Sequence, residues 1–428
     1  MAHVIEAKYP STFRSLEVQA LGTAIRQHDS VSLIGMKRVG ISNFLRFFLH
    51  HQHVISSFIT PSEHIFVVVD LNNLVEKTLY AFWILTLKKI VDAIEVGTFS
   101  EKIKEKSKSL FTQSIQLGDL FFTIDAIHKV LSAVGEEDKY LTLFFLRFDR
   151  LKDVITSEFF ANVKGLKDSG NHLSYVFTSY RPLSEIIPII TRSALSGFVK
   201  EIYVKPATTE DMKSICSSFQ EHYDTHFSED TIHQIQEFSG GHVQYLNLLL
   251  ISLKNKVSEK SSEEIDSEVF NDEEILFLCE EICASLTKDE LEYLEKVSTQ
   301  KKPVLAAKLY KYLWETGLVI NKSHPKIFSP LLSQYIHTFI KSKKKDGTEF
   351  TRKEHALFST LKKYEGQLVE REKIIEAVWP EVVELGVSDW SIDRLVSRVR
   401  TKLLDQKSKY KIMTIITRGY KLIPTGTK

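Results

Sequence analysis

Over the first 205 residues, short continuous apolar runs alternate with segments whose apolar positions recur every three or four residues. That alternation favours a parallel sheet wrapped by helices. The runs predict strands at Val31–Ile34, Ile65–Asp70, Leu141–Asp149, Leu173–Thr178 and Val199–Val204. Each is apolar on both faces, as strands covered on both sides require. Residues 98–118 are polar and rich in lysine and serine, and read as an exposed insertion between helices.

Residues 207–256 carry helical spacing, with Thr209 and Glu210-Asp211 opening one helix and Gly240-Gly241 forming a tight turn. The acidic, polar stretch 256–272 reads as a linker. From Leu286 the units shorten. Thr287 with Glu290 fits a capping box and Gly317 a helix stop. LYKYLWETGLVI followed by HPKIFSPLLSQYI then gives a helix and a β-wing. KSKKKDG, at 341–347, is a basic hinge, and Thr351 with Glu354 opens a helix that Gly366 ends. No fixed-period repeat stands out. The divisions are an α/β domain at 1–205, a helical lid and linker at 206–270, a winged-helix-like domain at 271–340, the hinge, and a last domain at 348–428.

Charge sharpens this picture. The chain has 428 residues and a net charge of +1, yet from Lys341 onward 20 Lys and Arg face 12 Asp and Glu. A basic end on a near-neutral chain points to an anionic partner for that end. The three cysteines, Cys216, Cys279 and Cys283, cannot all pair and lack metal-type companions. They read as buried thiols of a reducing compartment. The most apolar helical stretch, Tyr80–Leu87, stops at Lys88-Lys89, too short for a bilayer. With no signal-peptide pattern at the start, a cytoplasmic protein with no membrane partner is expected.

The chemistry gathers at Val31–Leu49, VSLIGMKRVGISNFLRFFL. A strand leads into glycines five apart, Gly35 and Gly40, then Ser42 and a helix, the layout of a phosphate-binding loop. Glycines let the backbone fold tightly around an anion, and Ser42 is placed to put its hydroxyl on Mg²⁺. The lysine that belongs after the second glycine is Ile41. A strand–turn–helix with no ligand therefore stays open as a reading. Three later segments bear on it: LTLFFLRFDR ending in Asp149 and Arg150, LSYVFTSYR with Thr178, Ser179 and Arg181, and FSGGHVQYLNLLL. Singly, Asp149 could end a strand, Arg181 could pair with an acid, and His242 could be a turn residue.

Their order resembles the STAND class of signalling ATPases and the related archaeal and origin-recognition-like AAA+ proteins. The resemblance implies a P-loop α/β sheet with helical lid and winged helix over about residues 10–340, and ATP or ADP with Mg²⁺ as cofactor. Gly35, Lys37, Arg38, Gly40 and Ser42 would then hold phosphates, and Ser42 and Asp149 would hold the metal. Ser179 or Arg181 would read the terminal phosphate, and Gly241-His242 would lie near adenine. Ile41 for lysine, Arg150 for the usual acid and Val243 for proline depart from the pattern. The first two remove charge stabilisation and water orientation, so weak or absent hydrolysis is expected.

The basic end is the sharper signal. In DWSIDRLVSRVRTKL, Ile392, Leu395, Val396, Val399 and Leu403 form one apolar stripe, and Arg394, Arg398 and Lys402 form a basic one. A helix so divided suits the major groove. With FTRKEHALFSTLKKYEGQLVEREKIIEAVWP before it and YKIMTIITRGYKL after it, the stretch resembles the effector domain of the OmpR/PhoB winged-helix family. That resemblance implies double-stranded DNA as partner, with Trp390, Arg394, Ser397, Arg398, Thr401 and Lys402 on base or phosphate and Arg418 in the wing. Ile416 and Thr417 depart from the family's wing. The loop Pro380–Val387 matches one that can touch RNA polymerase in relatives. No phosphoacceptor receiver stands before this domain in the sequence, which leaves control to the nucleotide-binding-like module. The combined expectation is a transcriptional regulator, homo-oligomeric on repeated half-sites, whose nucleotide or partner state changes assembly or exposure of the DNA-binding domain. An ATP-hydrolysing initiator or loader, and a scaffold that binds no nucleotide, are the alternatives.

Overall fold

The structure is a computed structural model. It describes residues 4–168, 172–187, 197–255, 269–270, 272–299, 309–340, 350, 352–379, 389–406, 408–415 and 418–425. The expected hinge, the Thr351 cap, the loop Pro380–Val387 and the wing positions Ile416 and Thr417 lie outside the described residues. The chain forms two compact units, Met1–His337 and Thr338–Lys428.

The first unit is built on five parallel strands: β1 (Ser30–Ile34), β2 (His64–Asp70), β3 (Tyr140–Leu146), β4 (Leu173–Ser179) and β5 (Val199–Tyr203). Their order is β2-β3-β4-β1-β5. The strand bearing the glycine loop thus lies between β4 and β5, where the chain order reverses and open α/β sheets bind ligands. β1 and β4 are buried along their whole length. Ile34 stands opposite Ser179 and Tyr203, which aligns the carboxyl ends.

Two expectations are corrected here. Residues 98–118 hold a regular helix, Glu101–Leu117, packed with Leu79–Val96 and Leu120–Gly135. Its inner face buries Ile103, Ser107 and Ser114, and both serine hydroxyls return hydrogen bonds to their own helix. Also, β3 stops at Leu146, three residues short of Asp149. Arg147 takes a left-handed conformation (φ 60°) and starts the 3₁₀ turn Phe148–Leu151. The apolar run outlasts the strand because Phe148 and Leu151 of that turn also enter the core.

Beyond the sheet come the helices Thr209–Tyr223, Glu229–Ser239 and Val243–Asn255. Thr208, one residue before the expected position, caps the first of them with Asp211. Glu273–Cys283, Lys288–Ser298, Lys311–Glu315 and the ladder of β6 (Val319–Ile320) with β7 (Lys326–Ile327) form a winged-helix arrangement. Thr287 and Glu290 make the reciprocal cap. The cysteines are free and buried, and burial pushes the Cys216 and Cys279 thiols up to about 12.

The second unit packs the helices Arg352–Lys363, Arg371–Val378 and Asp389–Asp405 on an antiparallel sheet of order β8 (Val369–Glu370), β10 (Gly419–Pro424), β9 (Tyr410–Ile415). Its core has its own members, among them Leu357, Leu361, Ile374, Val378, Ile392, Val396, Val399, Leu403, Ile412 and Leu422. Among the described residues no helix is long and apolar enough to cross a membrane.

Candidate nucleotide site and nucleic-acid interface

The loop after β1 needs both of its glycines. A Cβ at Gly35 would come within 2.8 Å of Val39 Cγ1 and 3.0 Å of the Val204 carbonyl. Gly40 has φ +111°, and a Cβ there would meet Val243 Cγ2 at 2.5 Å. Ile41 opens the helix Ile41–His50, its Cδ1 3.3 Å from where a Gly35 Cβ would stand. An apolar side chain therefore leans over the loop where the lysine would carry charge. Ser42 is half-buried in the first turn of the helix.

The Gly-Gly-His segment supports the loop from behind. Gly240 (φ +55°) ends one helix, and Gly241 (φ +85°) lets Ala207 approach so closely that a Cβ would fall 2.2 Å from its carbonyl oxygen. The Ala207 N–H donates to the Gly241 carbonyl at 2.8 Å. His242 is fully buried, with Nε2 2.8 Å from the Lys37 carbonyl. Because Nδ1 accepts from the Tyr245 N–H, the proton sits on Nε2, which donates to that carbonyl. Burial pushes the ring down to about 4.

Sequence reasoning missed Arg14. Its buried guanidinium donates to the Lys205 carbonyl at 2.8 Å and the Val39 carbonyl at 3.3 Å, and the Arg14 backbone N–H donates to the Asp211 carboxylate at 2.8 Å. The available signal was an arginine after YPSTF with Glu17 three residues on, which it also meets at 3.3 Å, and nothing in the sequence marks its distant carbonyl partners.

The three cations expected to meet phosphate already have acidic partners. Lys37 Nζ lies 3.6 Å from Glu281 and 4.6 Å from the centre of the Tyr180 ring. Arg38 Nε donates to Glu281 at 2.7 Å. Arg181 donates to Glu290 at 2.7 and 3.1 Å and to Glu185 at 2.6 and 2.9 Å. Its guanidinium lies 3.9 Å from the centre of the Tyr312 ring, whose hydroxyl donates to the Tyr180 carbonyl at 2.7 Å. Burial opposes the charge of Arg181, but Glu290 and Glu185 outweigh it and hold the group above its ordinary value. Ser179 Oγ donates to the Arg181 carbonyl at 2.6 Å.

Metal-bound triphosphate fits these residues poorly. The last strand position of β3 is Leu146, followed by Arg147, whose N–H donates to Thr178 and whose guanidinium grips Asp70 at 2.5 and 2.6 Å. Asp149 sits in the following turn, its carboxyl pushed up by burial against the opposing field of Lys37. Arg150 is exposed and reaches Asn72. Among the described residues no group of three His, Cys, Asp or Glu could hold a metal ion. The loop keeps both glycines of the phosphate-binding layout, with Ile41 in place of its lysine and its two cations paired with Glu281.

In the second unit, Ile392, Leu395, Val396, Val399 and Leu403 turn inward as the spacing predicts. The basic stripe does not all turn outward. Arg398 lies 2.9 Å and Lys402 2.5 Å from Glu354, whose carboxylate is 0 % exposed. The two cations are 24 % and 25 % exposed. They lean back along the helix flank and join it to Arg352–Lys363. Asp393 accepts from Arg371 at 2.7 Å and from the Tyr420 hydroxyl, and Arg400 donates to the Ile412 carbonyl and Thr414. Ser397 and Thr401 are exposed, Arg394 is half-buried beside them, and Arg418 is exposed after β9. The Trp390 side chain lies outside the described residues.

Residues 344–422 match the family described as transcriptional regulatory protein, C terminal. The second unit is thus an OmpR/PhoB-type winged-helix domain, a DNA-binding transcription-regulator domain. No curated protein matches the chain. Among solved structures, a Walker-type ATPase of Pyrococcus abyssi aligns over 76 % of this chain and 95 % of its own, with 16 % identity and a TM-score of 0.50. The ADP form of the Aeropyrum pernix ORC2 protein aligns over 78 % and 93 %, with 14 % identity and a TM-score of 0.43. The Aeropyrum pernix ORC1 protein in complex with DNA aligns over 96 % and 88 %, with 11 % identity and a TM-score of 0.42. The first likeness shows the fold of the first unit, that of a Walker-type ATPase.

Proposed function

We propose that the chain is a transcriptional regulator that reads duplex DNA through the helix Asp389–Asp405 and the β9–β10 hairpin. Its ATPase-like unit governs assembly or exposure of that reader and does not turn over nucleotide. The observation that carries the reading is the outer face of the helix in a domain of this family. Arg394, Ser397 and Thr401 stand there together, opposite a complete apolar stripe.

In this reading Arg394 supplies the charged contact, Ser397 and Thr401 supply short polar contacts, and Arg418 meets the neighbouring backbone. Trp390 belongs to the same face by helical spacing. Arg398 and Lys402 set the angle of the helix through Glu354 and contribute their remaining exposure to the phosphates. One winged helix neutralises few phosphates, so tight recognition calls for two or more copies on repeated half-sites, joined through the ATPase-like unit. A contact of Pro380–Val387 with RNA polymerase belongs to the same proposal. ATP or ADP is the ligand class the fold suggests, with Ser42 and Asp149 the nearest approach to a metal shell.

Selection of bound sites from random duplexes by the full chain tests the reading. The expected result is a recurrent motif present in two copies, with Arg394→Ala weakening binding to it by about 1–3 kcal/mol. Equal, salt-sensitive affinity for every duplex would count against it. The enzyme alternative, an ATP-hydrolysing loader, meets three obstacles in Ile41, Leu146 and Arg147. Phosphate release abolished by Ser42→Ala would restore it.

A further inference from the structure

The cations of the glycine loop and of the β4 end meet two carboxylates from consecutive helices of the first unit's winged helix, and Arg181 is held as well by Glu185 of its own segment. Glu281 lies in Glu273–Cys283 and Glu290 in the first turn of Lys288–Ser298. Glu281 spans Lys37 and Arg38, and Glu290 forms a two-toothed pair with Arg181. The Glu290 side chain is 8 % exposed, as is its partner Arg181, so that pair is well shielded from water, while Glu281, 13 % exposed, meets the more open Lys37 and Arg38. Tyr312, from the next helix of the winged helix, covers the guanidinium of Arg181 and hydrogen-bonds the backbone at Tyr180. Tyr180 in turn offers its ring to Lys37. A carboxylate forked onto a guanidinium offers the same oxygen geometry as a phosphate edge.

We propose that Glu281 and Glu290 act as an internal anion, taking the place of phosphate oxygens on Lys37, Arg38 and Arg181. The winged helix thereby closes the loop without nucleotide. Withdrawing the two carboxylates uncovers a site for a polyphosphate anion. The latch lies wholly in the first unit and stands or falls apart from the DNA-reading assignment.

The test uses the full chain and inorganic tripolyphosphate, with binding followed by calorimetry at fixed ionic strength. Glu281→Gln/Glu290→Gln removes both charges, while glutamine at 290 can still accept the capping hydrogen bond from Thr287. The expected result is affinity at least tenfold above that of the unaltered chain. The gain should vanish when Lys37→Gln, Arg38→Gln and Arg181→Gln are added, which separates this site from the basic second unit. Equal affinity of the unaltered chain and the double variant overturns the proposal. So does a double variant that melts cooperatively but gains nothing, or a gain that survives loss of the three cations. Should the double variant fail to fold, Glu281→Gln alone, at the more open pair, is held to the same criteria with a gain of about threefold.

Discussion

His242 is fully buried and holds the Lys37 carbonyl of the glycine loop. Its folded-state value of about 4, set first by burial, lies below that of a free imidazole. The unfolded chain therefore takes up the proton first, and stability falls as pH drops from about 6.5 to about 4. Above that window the ring adds no pH dependence. The loss reaches about 2 kcal/mol at pH 5 for this residue, and His64, also pushed down to about 4 by burial, adds in the same direction. Urea midpoints at pH 7 and pH 5 check this, and His242→Gln should remove part of the difference. Gly241 is the other sensitive position. Gly241→Ala forces a left-handed alanine against the Ala207 carbonyl, and a loss of about 3 kcal/mol or more is expected by thermal unfolding of the first unit. Ile41 shows the opposite behaviour. Ile41→Lys restores the missing charge of the loop, yet phosphate release should stay at background because Leu146 and Arg147 still end β3.

At the scale of elements, the strand cores were legible in the apolar runs, and β1, β2, β4 and β5 begin and end within a residue of expectation. β3 did not follow, since periodicity cannot tell a buried strand from the buried turn after it. The acid at Asp149 drew the strand boundary three residues too far. The helix at 101–117 was hidden by its composition, because its narrow buried face uses serines as well as isoleucine. The helix Asp389–Asp405 was legible down to its apolar stripe. What sequence could not supply was that Glu354, on another helix, takes two of its cations. Glu354→Ala should therefore cost the second unit about 2 kcal/mol, discounted for the partial exposure of both partners. It should also weaken DNA binding although Glu354 touches no DNA. Denaturation and a binding titration on one preparation separate the two effects.

For the whole molecule, the consequential fact is that the second unit closes its own core. A fragment spanning 338–428 should fold alone and select the same base sequence as the full chain, with lower apparent affinity because it arrives singly. A fragment with an altered preference would mean that the first unit takes part in reading. The charge asymmetry of the sequence fits this division. The cations of the first unit's loop are consumed internally, while the second keeps Lys409, Lys411 and Arg418 exposed.

The bond from His242 to the Lys37 carbonyl, with Arg14 on the Val39 carbonyl and Val243 packed against Gly40, pins the glycine loop from three directions. A cradle fastened that firmly has no slack to recover on meeting a guest. Deuterium should enter the amides of residues 36–40 as slowly as those of β1, in buffer free of any nucleotide, so this stretch would keep time with the sheet rather than with its visitors.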